Sequence, residues 1–161
     1  VSAQGCAGAE RLVQLVQKIN ALRPAPAFFT FMPTGQSDCS AVKRALFKLN
    51  ANIPSLVVPG IGDFDIGEMG ADWYGFWYHG FRGLVVNSNL LVDPSCDPER
   101  AAQMEDWLEE QLEQSKLASQ RACVFSAHPW FLQEPCEAEQ SFDGGCTVQL
   151  PRRLRWLNRF R

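Results

Sequence analysis

The chain has 161 residues, 46% of them hydrophobic and 20% charged, which argues for one folded domain able to bury about two thirds of its surface. A formal net charge of −3 gives no general attraction to nucleic acid. No apolar run approaches the ~18 residues of a membrane span, and the start lacks the charged-then-apolar pattern of a signal peptide. A first residue of Val1 is expected of a chain processed or cut from something longer.

In chain order, Glu10 to Leu22 places Leu12, Leu15, Val16, Ile19 and Leu22 on one helical face, and Pro24 and Pro26 end it. Ala27 to Met32 reads as a strand stopped by Pro33, and a polar loop runs from Thr34 to Asp38. Ser40 is expected to cap a short helix with Val42, Ala45, Leu46 and Leu49 inward. Ser55 to Val58 is a buried strand running into Pro59-Gly60-Ile61-Gly62-Asp63-Phe64-Asp65-Ile66-Gly67. Tyr74 to Tyr78 and the strand containing Leu84 are close enough for an antiparallel pair around His79-Gly80.

Gly83 to Ser88 reads as a strand, rich in β-branched residues. A bending loop, Asp93 to Pro98, follows, with Asp97 as helix cap and Pro98 as first helical residue. The next helix turns Ala101, Met104, Trp107, Leu108, Gln111 and Leu112 inward and Glu105, Glu109, Glu110 and Glu113 to water. Ala122 to Ser126 is a further strand, ending at Ala127-His128-Pro129-Trp130. A polar, acidic loop spans Gln133 to Gly145. Pro151 to Arg161 reads as a helix with Leu154, Leu157 and Phe160 on one side and five arginines elsewhere. Helices alternating with strands, plus one hairpin, make an α/β fold with a mixed sheet.

Ligands of such sheets bind beyond the carboxyl ends of the strands. Three loops lie there: Pro33 to Asp38, Gly60 to Gly67, and Ala127 to Trp130. Asp63 and Asp65 stand two residues apart among glycines and can aim at a shared cation or water, while His128 offers an imidazole at a strand end. Carboxylate oxygen with imidazole nitrogen suits manganese, iron or zinc. The plainer reading treats Gly62-Asp63-Phe64-Asp65 as a turn and the arginine-rich end as a solvated helix face. Ser88 and Ser126 lack the Gly-x-Ser-x-Gly setting of a serine hydrolase. Six cysteines without a Cys-x-x-Cys pair read as free thiols of a reducing, cytoplasmic compartment, although Cys136 and Cys146 share one loop region and could pair outside the cytosol.

The order of these pieces resembles the calcineurin-like metallophosphoesterase family. Ile53 to Gly60 leading into an Asp-rich turn is similar to the strand before that family's Gly-Asn-His-Asp motif. Tyr74-Gly75-Phe76-Trp77, then Leu84 to Ser88, then Gln103 to Leu112, is similar to the segment that follows it. Val124 to Leu132 resembles the later strand that delivers a histidine near a proline. The likeness runs from about Glu10 to Arg161 and is nearest to a group described as serine/threonine protein phosphatases.

That resemblance implies an incomplete metallophosphoesterase-like β-sandwich of mixed sheets flanked by helices, in one domain over residues 1–161. It implies phosphomonoester hydrolysis assisted by divalent metal, with Asp63 and His128 as metal ligands and Asp65 as catalytic carboxylate. The opening Asp-x-His and closing Gly-His-x-His motifs are missing, and with them the first and last motif strands. The catalytic histidine is replaced by Gly62 or Phe64, depending on register, and Ala127 competes with His128 for the ligand position. The expectation is weak or lost turnover, or a non-catalytic phosphate- or partner-binding module. Its partner is a phosphorylated protein or small phosphoester, without nucleic acid or membrane, and a further partner would cover exposed sheet edges.

Overall fold

The computed structural model describes residues 3–33, 39–62, 65–142 and 145–160. Helix α1 (Ala3–Ala21) starts earlier than its apolar stripe, which begins at Leu12. Strand β1 (Phe29–Phe31) pairs in parallel with β2 (Ser55–Val57), Thr30 opposite Leu56. Helix α2 (Cys39–Leu46) joins them, so Ser40 lies inside its first turn rather than at its cap. Leu12 and Val16 of α1 meet Val42 and Ala45 of α2 in a small core flanked by Phe29, Phe31, Leu46 and Leu49.

The second layer is larger. Strands β3 (Tyr74–Tyr78) and β4 (Phe81–Val85) form the expected hairpin, with Trp77 opposite Arg82. Its two turn residues, His79 and Gly80, have φ of 42° and 86°, the left-handed geometry that matches a two-residue turn to strand twist. Phe76 lies directly across from Gly83, and a Cβ there would sit 2.1 Å from the ring. Glycine therefore lets the ring lie across the neighbouring strand.

β4 ends at Val85, earlier than the apolar run suggests. Asn87 turns the chain by accepting the Asn89 N–H and capping helix α4 (Ser88–Val92). A 3-10 turn over Pro94–Cys96 leads to α5 (Pro98–Leu117), whose N-terminus has Asp97 accepting the Arg100 N–H at 3.1 Å. A parallel partner for β4 requires a crossover, which these helices supply, and β5 (Arg121–Phe125) then pairs in parallel with β4. The sheet order is β3-β4-β5. A short antiparallel pair, β6 (Ser141–Phe142) with β7 (Gly145–Cys146), precedes α6 (Leu150–Arg159).

Leu84, Val86, Leu91, Met104, Leu108, Val148 and Trp156 are buried in the main core. Glu105 is buried as well, against the expectation of a water-facing side chain. It pairs with Arg152 at 2.8 Å and Arg155 at 3.0 Å, partners from an element 47 or more residues away that spacing within α5 cannot reveal. The two layers meet where Phe28, just before β1, sets its ring edge-on against Phe76, Tyr78 and Phe125. The Tyr74 hydroxyl also donates to the Val57 carbonyl at 3.0 Å. The result is a mixed α/β fold with one parallel, one mixed and one antiparallel sheet and no closed barrel among the described residues.

Candidate functional site

The carboxyl ends of β2, β4 and β5 gather a polar cluster. At its centre is Asn89, in the first turn of α4. Its amide nitrogen donates to the Gly60 carbonyl at 2.8 Å and to Asn87 Oδ1 at 2.9 Å, while its amide oxygen accepts the Gly62 N–H at 3.0 Å. One side chain thus clips the loop leaving β2 to the helix leaving β4. Gly62 has φ of 97°, a conformation glycine adopts without the Cβ clash of other residues.

Beneath the clip, the Asn87 amide donates to Asp72 Oδ2 at 2.8 Å, and Arg100 contributes its guanidinium at 2.6 Å to the same oxygen. Asp72 is 4% exposed, so its charge needs that arginine. Arg100 in turn stacks over Trp73, 5.1 Å from the ring centroid. Charge, amide and backbone form one continuous chain from α5 to the Gly60–Gly62 loop.

His128 lies beside this cluster. It is 4% exposed, and Ser88 is fully buried. Ser88 Oγ accepts the His128 backbone N–H at 3.0 Å and lies 2.9 Å from Nδ1. A buried hydroxyl proton needs an acceptor, and among the described residues Nδ1 is the one in reach, which assigns the imidazole proton to Nε2. Burial lowers the His128 pKa, so the ring is neutral at pH 7.

Of the three expected site residues, Asp65 and His128 are among the described residues and have different surroundings. Asp63 lies outside the described residues. Asp65 is exposed and caps the short helix α3 (Ile66–Met69), its carboxylate accepting the Glu68 N–H at 3.0 Å. His128 is held by Ser88, and neither it nor Asp65 is hydrogen-bonded to the other. No group of three or more His, Cys, Asp or Glu side chains converges among the described residues. A cation normally takes four or more ligands, so the described residues alone do not make a two-metal centre. Metal coordination through His128 Nε2 would require its proton to move to Nδ1 and the Ser88 hydroxyl to find another acceptor.

Sequence reasoning missed Asp72, Asn87, Asn89 and Arg100. Asn87-Ser88-Asn89 ahead of Leu90-Leu91 is a local capping signal, masked in the sequence by the apolar run before it. The other two residues meet it only through the fold. Cys96, Cys123, Cys136 and Cys146 are free thiols, so Cys136 and Cys146 are not paired. The Cys96 thiol donates to Asp93, whose carboxylate raises its pKa and keeps it protonated.

The arginines of α6 are largely occupied within the chain. Arg152 and Arg155 pair with Glu105, Arg155 and Arg159 with Glu109, and Arg153 with Glu137. Beside the open edge of β5 lies a groove of about 650 Å³ between α5 and the end of α6, with Leu112, Val124, Trp130 and Phe160 in its wall. Among the described residues, no helix is long and apolar enough to cross a membrane.

No family model matches the chain, and no solved structure matches it significantly. Curated relatives do. The serine/threonine-protein phosphatase CPPED1 of Bos taurus is 31% identical over 157 residues, covering 81% of this chain and 49% of the relative. CPPED1 of Homo sapiens is 32% identical over 145 residues, covering 74% and 45%. CPPED1 of Danio rerio is 30% identical over 154 residues, covering 81% and 49%. The chain spans about half the length of the curated relatives it matches. Across about four-fifths of its own length, it is similar to proteins of the calcineurin-like phosphoesterase domain-containing protein 1 group.

Proposed function

We propose that this chain is a phosphatase-family segment that engages phosphoesters, with phosphoserine or phosphothreonine in proteins as the ligand class, and has weak turnover or none by itself. The observation that carries this reading is its kinship to proteins named serine/threonine-protein phosphatase, at 30–32% identity. That kinship also supports a divalent cation in general. Manganese, iron or zinc would be the choice for mixed carboxylate and imidazole donors. In this reading Asp63 and His128 hold the cation, Asp65 is the catalytic carboxylate, and residues 1–161 act as one domain. Asp65 would have to release the Glu68 N–H to take part. A cytoplasmic location goes with the reading and is supported by exposed thiols at Cys96, Cys123 and Cys136.

Weak turnover is supported by the separate hydrogen-bonding commitments of Asp65 and His128. What the described residues supply is positioning: the Asp72–Asn87–Asn89 chain fixes the loop after β2, and Ser88 fixes the His128 ring. The decisive experiment is turnover of p-nitrophenyl phosphate with added manganese, alongside metal content by elemental analysis. The expected result is little turnover. Robust metal-dependent turnover abolished by Asp63→Ala would overturn the claim of weak or lost activity.

A second reading, a non-catalytic module that binds a partner strand, is favoured by one observation. The β5 edge is unpaired among the described residues and borders the 650 Å³ groove. A cooperative melt with no bound metal and no turnover would favour it.

A further inference from the structure

The loop after β5 holds an anion in an unusual way. Three successive backbone N–H groups converge on the carboxylate of Glu137. Leu132 N is 2.6 Å from Oε1, while Gln133 N and Glu134 N are 3.1 Å and 3.2 Å from Oε2. The turn that returns Glu137 to them is tight: its own N–H donates to the Glu134 carbonyl at 3.1 Å, with Pro135 at the second position. Consecutive amides arranged this way form a concavity of the kind that binds phosphate in many proteins.

A second, independent observation concerns what lies against it. Arg153 is fully buried, yet its Nε and Nη1 have no hydrogen-bond partner among the described residues. Its Nη2 donates to the Glu137 carbonyl at 2.6 Å, and Nη1 is 3.8 Å from Glu137 Oε1, outside hydrogen-bond distance. Leaving donors of a buried cation unused is costly, so the site is under-filled by its present occupant. A carboxylate brings two oxygens and one charge. A phosphate group brings three terminal oxygens and up to two charges, enough to serve the amides and Nη1 together.

We propose that the amides of Leu132, Gln133 and Glu134, with Arg153, form a binding site for an oxyanion of the phosphate class that the chain's own Glu137 holds shut. The amide hydrogen bonds, Leu132's foremost, and the nearby Arg153 charge also lower the Glu137 pKa, as expected of an environment that selects an anion. Glu134 and Glu139 in the same loop would oppose a dianion while Glu137 is in place, so opening requires its departure. No phosphorus bond breaks here, and the site does not depend on the phosphatase reading above.

The test is an amide-resolved NMR titration with inorganic phosphate, with chloride at matched ionic strength as control. In Glu137→Ala, phosphate should shift the Leu132, Gln133 and Glu134 amides and raise the melting temperature. The unaltered chain should need about tenfold more phosphate for the same response. Adding Arg153→Met to Glu137→Ala should remove the effect. Response to phosphoserine as well as inorganic phosphate assigns a monoester site, and response to inorganic phosphate alone assigns a free-anion site.

If Glu137→Ala does not fold, Glu137→Gln keeps the side-chain shape while removing the charge, and the same titration applies. If that variant is unfolded too, recovery of a cooperative melt by phosphate but not by chloride supports the site. Unmoved amides, an equal response to chloride, persistence of the response without Arg153, or no recovery by phosphate each overturn it.

Discussion

The two layers are built from similar elements but held very differently. The layer of β3, β4 and β5 surrounds a core that includes fully buried Leu84, Met104, Leu108 and Trp156, and its helices carry side-chain caps at Asn87 and Asp97. The layer of β1 and β2 has strands of three residues and a core of Leu12, Val16, Val42 and Ala45, while Leu15, Leu22, Met32 and Phe47 stay exposed. Burial of apolar area, not the number of helices and strands, decides which layer can stand alone. The smaller layer leans on the larger through Phe28 and Tyr74. Local opening should therefore begin around α1, β1 and β2.

The strongest way to break this contrast is Trp156→Ala. Removing a fully buried indole from the larger core should cost about 3–5 kcal/mol and lower the single melting transition of the whole chain. If only the smaller layer melted, the ranking of the layers would be wrong.

A smaller effect is expected from Leu12→Ala, at about 2 kcal/mol, because a shallow core can partly collapse around the gap. Hydrogen exchange should accelerate in α1, β1 and β2 while amides of α5 keep their protection. Equal loss in α5 would mean that the smaller layer opens only when the whole chain does.

Acidification sharpens the same comparison from the other side. The folded pKa of His128 is depressed by burial below its ordinary value of 6.5, so the unfolded chain takes up the proton first. The stability linked to this group is intact above that value and is lost as pH falls through it toward the folded pKa. Denaturant titrations across this range should show the loss, and His128→Gln should flatten it.

The smallest effect is expected at the seam of α5 and α6. Arg155 is 54% exposed, so its pairs with Glu105 and Glu109 should contribute under about 1 kcal/mol and weaken in salt. Arg155→Ala measured at low and high salt reads this directly.

Much of the larger layer was legible in the sequence because its signals are local. Asp97-Pro98 marks the start of α5, and His79-Gly80 marks the hairpin turn, each through the backbone needs of a few adjacent residues. Where a local pattern met a distant partner, reading failed. Glu105 looks solvated on a helical wheel, yet two arginines about fifty residues away bury it. Residues 3–9 carry no apolar stripe, so periodicity starts the first helix later than the backbone does, and α1 includes them. The candidate site was only partly legible for the same reason. Its strand-end position followed from the α/β pattern, but Asp72, Asn87, Asn89 and Arg100 come from separate stretches of chain and are joined by hydrogen bonds that no spacing rule encodes.

The amide of Asn89 sets a fixed span between the Gly60 carbonyl and the Gly62 N–H. Such a calliper tolerates changes of side chain at Ile61 but not of loop length. One residue inserted between the two glycines would leave a jaw closing on nothing, so the reach of this mouth is fixed more tightly than its chemistry.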